Sequence, residues 1–142
     1  MKLKVVIDTN VIVAALRSSQ GASYALLQKL GLTYFDHILT VPLLIEYEDV
    51  LFRQGLVPLD TQSRNDILDF ICATALRHKV HYLWRPKLRD YKDDMVLEAA
   101  VNGQCDFIVT HNVKDFSDLA VFGLKVCTPK QFLLLLREEQ AC

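Results

Sequence analysis

A handful of acidic residues carries most of the chemistry this chain offers. Asp8 follows the β-branched run Val5-Val6-Ile7. Glu46 lies in Leu43-Leu44-Ile45-Glu46-Tyr47. Asp93 and Asp94 open an apolar, helix-like segment. Asp115 trails the run Phe107-Ile108-Val109-Thr110, with Asn112 between them. Each acid has an ordinary explanation by itself. Asp8 is placed as well to cap a helix as to face a ligand. Asp93 and Asp94 suit the positive end of a helix macrodipole. Glu46 fits a solvated face, and Asp115 fits a turn. Gathered in one place, the same acids mean something else. Two like charges 4 Å apart repel by about 4 kcal/mol at an effective dielectric of 20. Several carboxylates therefore share a site only with raised pKa values or with cations. Oxygen-only ligands select hard divalent ions, Mg²⁺ or Mn²⁺. Such a centre polarises a phosphodiester and activates an attacking water.

The elements that must position these residues alternate along the chain as in an α/β sheet. Lys4 to Asp8 reads as a buried parallel strand ending on its carboxylate. One or two helices follow to about Leu30, broken near Gly21. His37 to Val41 is a second strand, and Pro42 fits the first turn of a helix to about Arg53. Thr61 to about Lys79 reads as a long amphipathic helix and Val80 to Leu83 as a short strand. Trp84 to Lys92 is a loop, Asp93 to Asn102 a helix, and Asp106 to Thr110 the second convincing buried strand. Leu124 to Cys127 is an edge strand, and Thr128-Pro129 starts the closing helix. The expected architecture is a three-layer α/β/α sandwich with a central, mainly parallel sheet, as a single domain over residues 1–142. Asp8 and the residues after Thr110 fall on the carboxyl edge of that sheet, where open α/β sheets bind ligands. Asp93 and Asp94 open a helix that precedes its strand. Pattern alone puts them on the opposite edge, unless that helix packs its start back to the site.

Composition narrows the class. The chain has 142 residues, 51% of them hydrophobic and 23% charged, as in ordinary globular domains. A net charge of −1 provides no global attraction to nucleic acid or membranes, so a polyanion needs a local patch or metal ions. Asp8 interrupts the first apolar run after three residues, against a secretory signal. No apolar stretch approaches a membrane span. The four cysteines, Cys72, Cys105, Cys127 and Cys142, lack paired spacing and read as reduced thiols of a cytoplasmic protein.

Taken in order, four blocks resemble a PIN domain: Val6 to Leu16, Leu43 to Leu51, Arg89 to Ala100, and Asp106 to Asn112. The closing Thr128-Pro129-Lys130-Gln131-Phe132-Leu133 matches as well, so the resemblance covers essentially the whole chain. The most similar branch is the bacterial group of toxin components from toxin–antitoxin systems, the VapC-like proteins. The resemblance implies a ribonuclease with a Mg²⁺ or Mn²⁺ site. Asp8 matches the family's first acid and Glu46 its second. Asp93 matches the third by the register of Leu97-Glu98, with Asp94 beside it as a further catalytic candidate. A further acid follows the strand-end threonine, where Asn112 takes the nearer position and Asp115 the later one. The implied metal ligands are thus Asp8, Glu46, Asp93 and Asp115. Also implied are an antitoxin protein as partner and a homodimer or higher oligomer.

Three departures from the family pattern stand out. Asp90-Tyr91-Lys92-Asp93 replaces the frequent Asp-Pro-Asp-Asp. His111 stands where Gly or Arg is common, and reads more readily as an exposed loop histidine than as an RNA contact. Asn112 replaces an Asp, which weakens the fourth ligand. Substrate contacts are sought in the one basic concentration, with Arg85, Lys87, Arg89 and Lys92 near Trp84. Cations beside an aromatic suit single-stranded RNA, and a solvated loop suits the same residues. Thr9, Asn10, Thr110 and Asn112 are candidates for holding a water or a phosphate oxygen, or for shaping turns only. His78 and His81 lack the spacing and partners of a zinc site.

Rival classes are weaker. A haloacid-dehalogenase-like phosphatase needs a second acid two residues after Asp8, where Asn10 stands. A receiver domain matches Thr110 and Lys125 but needs an acceptor Asp ending a central strand. A PIN fold kept only as an RNA- or protein-binding module is the remaining alternative.

Overall fold

In the computed structural model, residues 2–79, 91–116 and 123–140 are described below. Five strands form one sheet in the order β3-β2-β1-β4-β5, and every pairing is parallel. The central strand β1 (Leu3–Ile7) is flanked by β2 (Phe35–Leu39) and β4 (Phe107–Val109). Val5, Val6 and Ile7 are buried, as expected for a continuous β-branched run covered on both faces. Val5 pairs with both His37 and Phe107, and Ile7 pairs with Val109. Asp8 and Thr110, each one residue past its strand, therefore leave the sheet side by side.

Helices cover both faces. On one, α1 (Thr9–Arg17) and α2 (Ala22–Leu27) close over Ile7. On the same face Phe132 of α6 (Pro129–Gln140) meets Phe35 and Phe107 edge-on, with centroids 5.2 and 5.8 Å apart. On the other, α5 (Tyr91–Asn102) lies across β1, β2 and β4 and against α3 (Val41–Phe52). Gly103 lets the end of α5 settle on β2, since a Cβ there would stand 2.7 Å from Ile38 Cγ2. The three-layer α/β/α arrangement is the expected one. No described helix is long and apolar enough to cross a membrane. Cys72, Cys105 and Cys127 are free thiols.

Two expectations need correction. The helix expected over Thr61 to Lys79 is α4 (Thr61–Thr74), and Leu76–Arg77 is a short strand, β3, on the edge beside β2. Ala75 is already extended, and the Thr74 hydroxyl turns back to the carbonyl of Phe70. The edge pairing with β2 wins the last residues from a helix whose amphipathic stripe has ended. The strand expected at Val80 to Leu83 lies outside the described residues. The second correction concerns α5. Only residues 103–106 separate it from β4, so its last turn lies toward the amino edge. A helix of 12 residues is about 18 Å long. Laid back over β1, β2 and β4, it carries Asp93 and Asp94 toward the carboxyl edge, the same edge as Asp8. A helix that returns to a parallel strand starts at the edge opposite the one it feeds.

The strand β2 holds a buried histidine. His37 Nε2 lies 2.9 Å from Thr74 Oγ1. That hydroxyl already donates to Phe70 O, so Nε2 must donate to it. Burial pushes the His37 pKa down to about 4.

Candidate active site

Asp8 occupies the N-cap position of α1, yet its carboxylate caps nothing. Neighbouring side chains hold it instead. Thr110 Oγ1 donates to Oδ2 at 2.7 Å, and Asn10 Nδ2 donates to the same oxygen at 3.2 Å. Thr9 Oγ1 reaches Oδ1 at 3.4 Å. The residue is only 5% exposed. Burial pushes the Asp8 pKa up, and its bonds to Thr110 and Thr9 only partly oppose that. The charge of Asp115 pushes it further up. The capping reading therefore has no side-chain hydrogen bond behind it. This carboxylate is held by neutral donors, with the Asp115 charge near enough to raise its pKa.

The supporting network is closed. Asn10 Nδ2 also contacts Thr110 Oγ1 at 3.3 Å, while Asn10 Oδ1 accepts from the His111 backbone N–H at 3.2 Å. Thr110 Oγ1 accepts from the Asn112 N–H at 3.0 Å. The strand register sets these pairs, because the amides of Asp8 and Thr110 continue the ladder to Val109 and Cys127. Thr9, Asn10, Thr110 and the Asn112 backbone therefore form one hydrogen-bonded network around Asp8. Asp115 sits in a 3-10 turn (Val113–Phe116) anchored by buried Phe116. The Tyr47 hydroxyl donates to Ile7 O, and burial, then the nearby Asp8 charge, hold it protonated.

Glu46 is buried on α3, below the cap made by Thr40 and the Pro42 turn. With Thr9 and Asn10 it lines a groove of about 610 Å³ between α1 and α3. On α5, Asp94 and Glu98 are fully buried four residues apart, while Asp93 is partly exposed. Glu98 was not singled out from sequence; its i, i+4 spacing from Asp94 is the signal that marks one inward face. Arg85, Lys87 and Arg89 lie outside the described residues, as do Trp84 and His81. Lys92 lies in the first turn of α5.

Asp8, Asp115 and their hydroxyl and amide neighbours form the donor set for the metal implied by the resemblance. Its chemistry fits a hard cation, since the side chains around Asp8 present oxygen and amide groups and a second carboxylate. No three Asp, Glu, His or Cys groups among the described residues stand close enough to hold an ion together. Mg²⁺ fits such a site, because it is usually bound by one or two carboxylates plus waters and substrate phosphates.

Comparisons with known proteins agree with this architecture. A chain of the VapBC2 complex from Rickettsia felis, crystallised on a DNA fragment from its promoter, has a similar fold. The TM-score is 0.62 at 15% identity, over 87% of this chain and 98% of that one. No curated protein sequence matches. The PIN domain model matches residues 4–114, which include Asp8, Glu46, Asp93, Asp94 and the Thr110 edge. With the parallel five-stranded sheet and its buried strand-end acid, that match places the chain in the PIN domain family.

Proposed function

We infer that this protein is a Mg²⁺- or Mn²⁺-dependent endoribonuclease that hydrolyses RNA phosphodiester bonds. The observation that carries this reading is Asp8, a buried carboxylate held by neutral donors with the Asp115 charge beside it. Membership of the PIN family and the acids of α3 and α5 support it. A divalent ion, when bound, supplies Lewis-acid polarisation of the phosphodiester and activation of the attacking water. Asp8 and Asp115 would hold that ion together with waters and substrate phosphates, while Glu46 and Asp93, the other two ligands the resemblance implies, would have to move closer to join them. Thr110 and Asn10 orient Asp8 by fixing Oδ2, so the carboxylate needs no rearrangement when charge develops on the substrate. Thr9, Asn112 and the basic residues Arg85, Lys87, Arg89 and Lys92 are proposed substrate contacts. Asp94 is a further catalytic candidate.

The fold it shares with a chain of the VapBC2 complex supports a toxin role with an antitoxin partner. We assign a homodimer or higher oligomer, a single domain over residues 1–142 and a cytoplasmic site of action. The deciding experiment is cleavage of single-stranded RNA by purified protein, with and without Mg²⁺ or Mn²⁺, beside Asp8→Ala. Metal-dependent cleavage lost in the variant is expected. Equal cleavage by the variant, or cleavage in EDTA, overturns the mechanism. Binding without cleavage would favour a PIN fold kept as an RNA- or protein-binding module.

A further inference from the structure

His111 is exposed and directly follows the strand-end Thr110, whose hydroxyl holds Asp8. Its backbone N–H donates to Asn10 Oδ1. Its ring is held separately, with Nε2 lying 2.8 Å from the Oγ of Ser23. Ser23 belongs to α2 and is 4% exposed. A bond between residues 88 apart thus ties a rim side chain to a buried hydroxyl.

The direction of this bond follows from the inventory of partners. Among the described residues, the Ser23 hydroxyl has no hydrogen-bond partner other than His111. Were Nε2 to donate, the Ser23 proton would be buried without an acceptor, at a cost of about 1–3 kcal/mol. The hydroxyl therefore donates to Nε2. A neutral imidazole that accepts at Nε2 carries its proton on Nδ1. Nδ1 has no partner among the described residues. His37 has the opposite arrangement, because Thr74 has another acceptor for its proton.

We propose that His111, oriented by Ser23, is a substrate-contacting residue whose Nδ1–H donates to a phosphate oxygen of RNA bound at the sheet edge that carries Asp8. Ser23 is the positioning residue: it fixes both the ring and the tautomer. The backbone bond to Asn10 ties the same residue to the network around Asp8, so the contact and the acid keep a fixed relation. The proposal rests on the ribonuclease reading for its substrate, and it adds residues outside the acid set.

Three measurements test it. Imidazole ¹⁵N shifts of the intact protein at pH 8 should show His111 in the Nδ1–H form. The Nε2–H form would overturn the proposal. Binding of a fluorescent single-stranded RNA, followed by anisotropy in EDTA, should weaken about three- to tenfold in His111→Ala and His111→Gln. Gln reaches the Ser23 hydroxyl but lacks a donor at the Nδ1 position. Ser23→Ala should weaken binding less, with partial rescue in Ser23→Thr, and in cleavage assays KM should move more than kcat. Unchanged binding in both His111 variants overturns the contact, as does wild-type protein that binds no RNA. RNA bound through His111 but never cut would leave the contact standing and overturn the nuclease reading.

Discussion

The two edges of the sheet treat their carboxylates in opposite ways. At the amino edge, Asp106 accepts from the Lys4 backbone N–H at 2.9 Å, and Asp36 meets the Lys2 ammonium at 3.1 Å. Both bonds are open to solvent. At the carboxyl edge, Asp8 is buried, its donors are uncharged, and its charged neighbour Asp115 repels it. Acids of the first kind are satisfied by the fold and by water, and they need nothing else. An acid of the second kind carries, when ionised, a charge that the fold does not neutralise. The difference teaches where to look for chemistry in a parallel sheet: at the acid the fold holds without neutralising, rather than at acids already paired and open to water.

The largest expected effect is at Asp8. Asp8→Asn should lower metal-dependent RNA cleavage by about 10²- to 10³-fold or more. In metal-free buffer it should also raise the melting temperature by roughly 3–8 °C, through relief of about 1–2 kcal/mol of buried charge. Calorimetry beside a cleavage assay reads both. A variant that is less stable and still active would erase the distinction between the edges.

Next comes pH. His37 and Asp8 are buried in adjoining strands, and their shifts act in opposite senses. The His37 pKa is lowered to about 4, so its contribution is complete above about 6.5 and is lost as pH falls from 6.5 toward 4. Integrated over that window, the loss is roughly 3 kcal/mol. The Asp8 pKa is raised from 3.8, so its destabilising charge is fully present above the folded pKa. That cost is relieved as pH falls through the folded pKa toward 3.8. Denaturant unfolding across pH 4–7.5 should show His37→Gln with a shallower acid loss than wild type and Asp8→Asn with a steeper one. Parallel curves for all three proteins would contradict both assignments.

Thr110→Val removes the donor to Asp8 and the acceptor used by Asn10 and Asn112. A loss of about 1–3 kcal/mol is expected, with cleavage reduced roughly tenfold. At the amino edge, Asp106→Ala should cost about 0.5–1 kcal/mol, since water can replace an exposed acceptor. Lys2→Ala should cost less than about 0.5 kcal/mol. Both should leave cleavage within about twofold of wild type. A tenfold loss from either would move the functional edge, or extend it across the sheet.

The frame behind this contrast was legible in the sequence. The β-branched run before Asp8, the second buried run before Thr110 and the Pro42 turn before Glu46 are local signals, and each became the expected element. The end of α4 was not legible. The sequence carries no glycine or proline between Thr61 and Lys79, and an edge pairing to β2 decides where the helix stops. The Ser23–His111 bond was hidden for the same reason: its two residues lie 88 apart along the chain.

By itself, the sequence determined the alternation of strands and helices, the order of the acids and their family, because periodicity and turn chemistry act over a few residues. Only the tertiary structure decided which acids the fold leaves charged and enclosed. Asp8 and Thr110 are far apart in the chain and meet because β1 and β4 pair in register. The helix α5 turns its acids back to the same edge because it must return to a parallel strand. Burial and partner identity set a carboxylate's charge state, and both come from residues that only the packed sheet brings together.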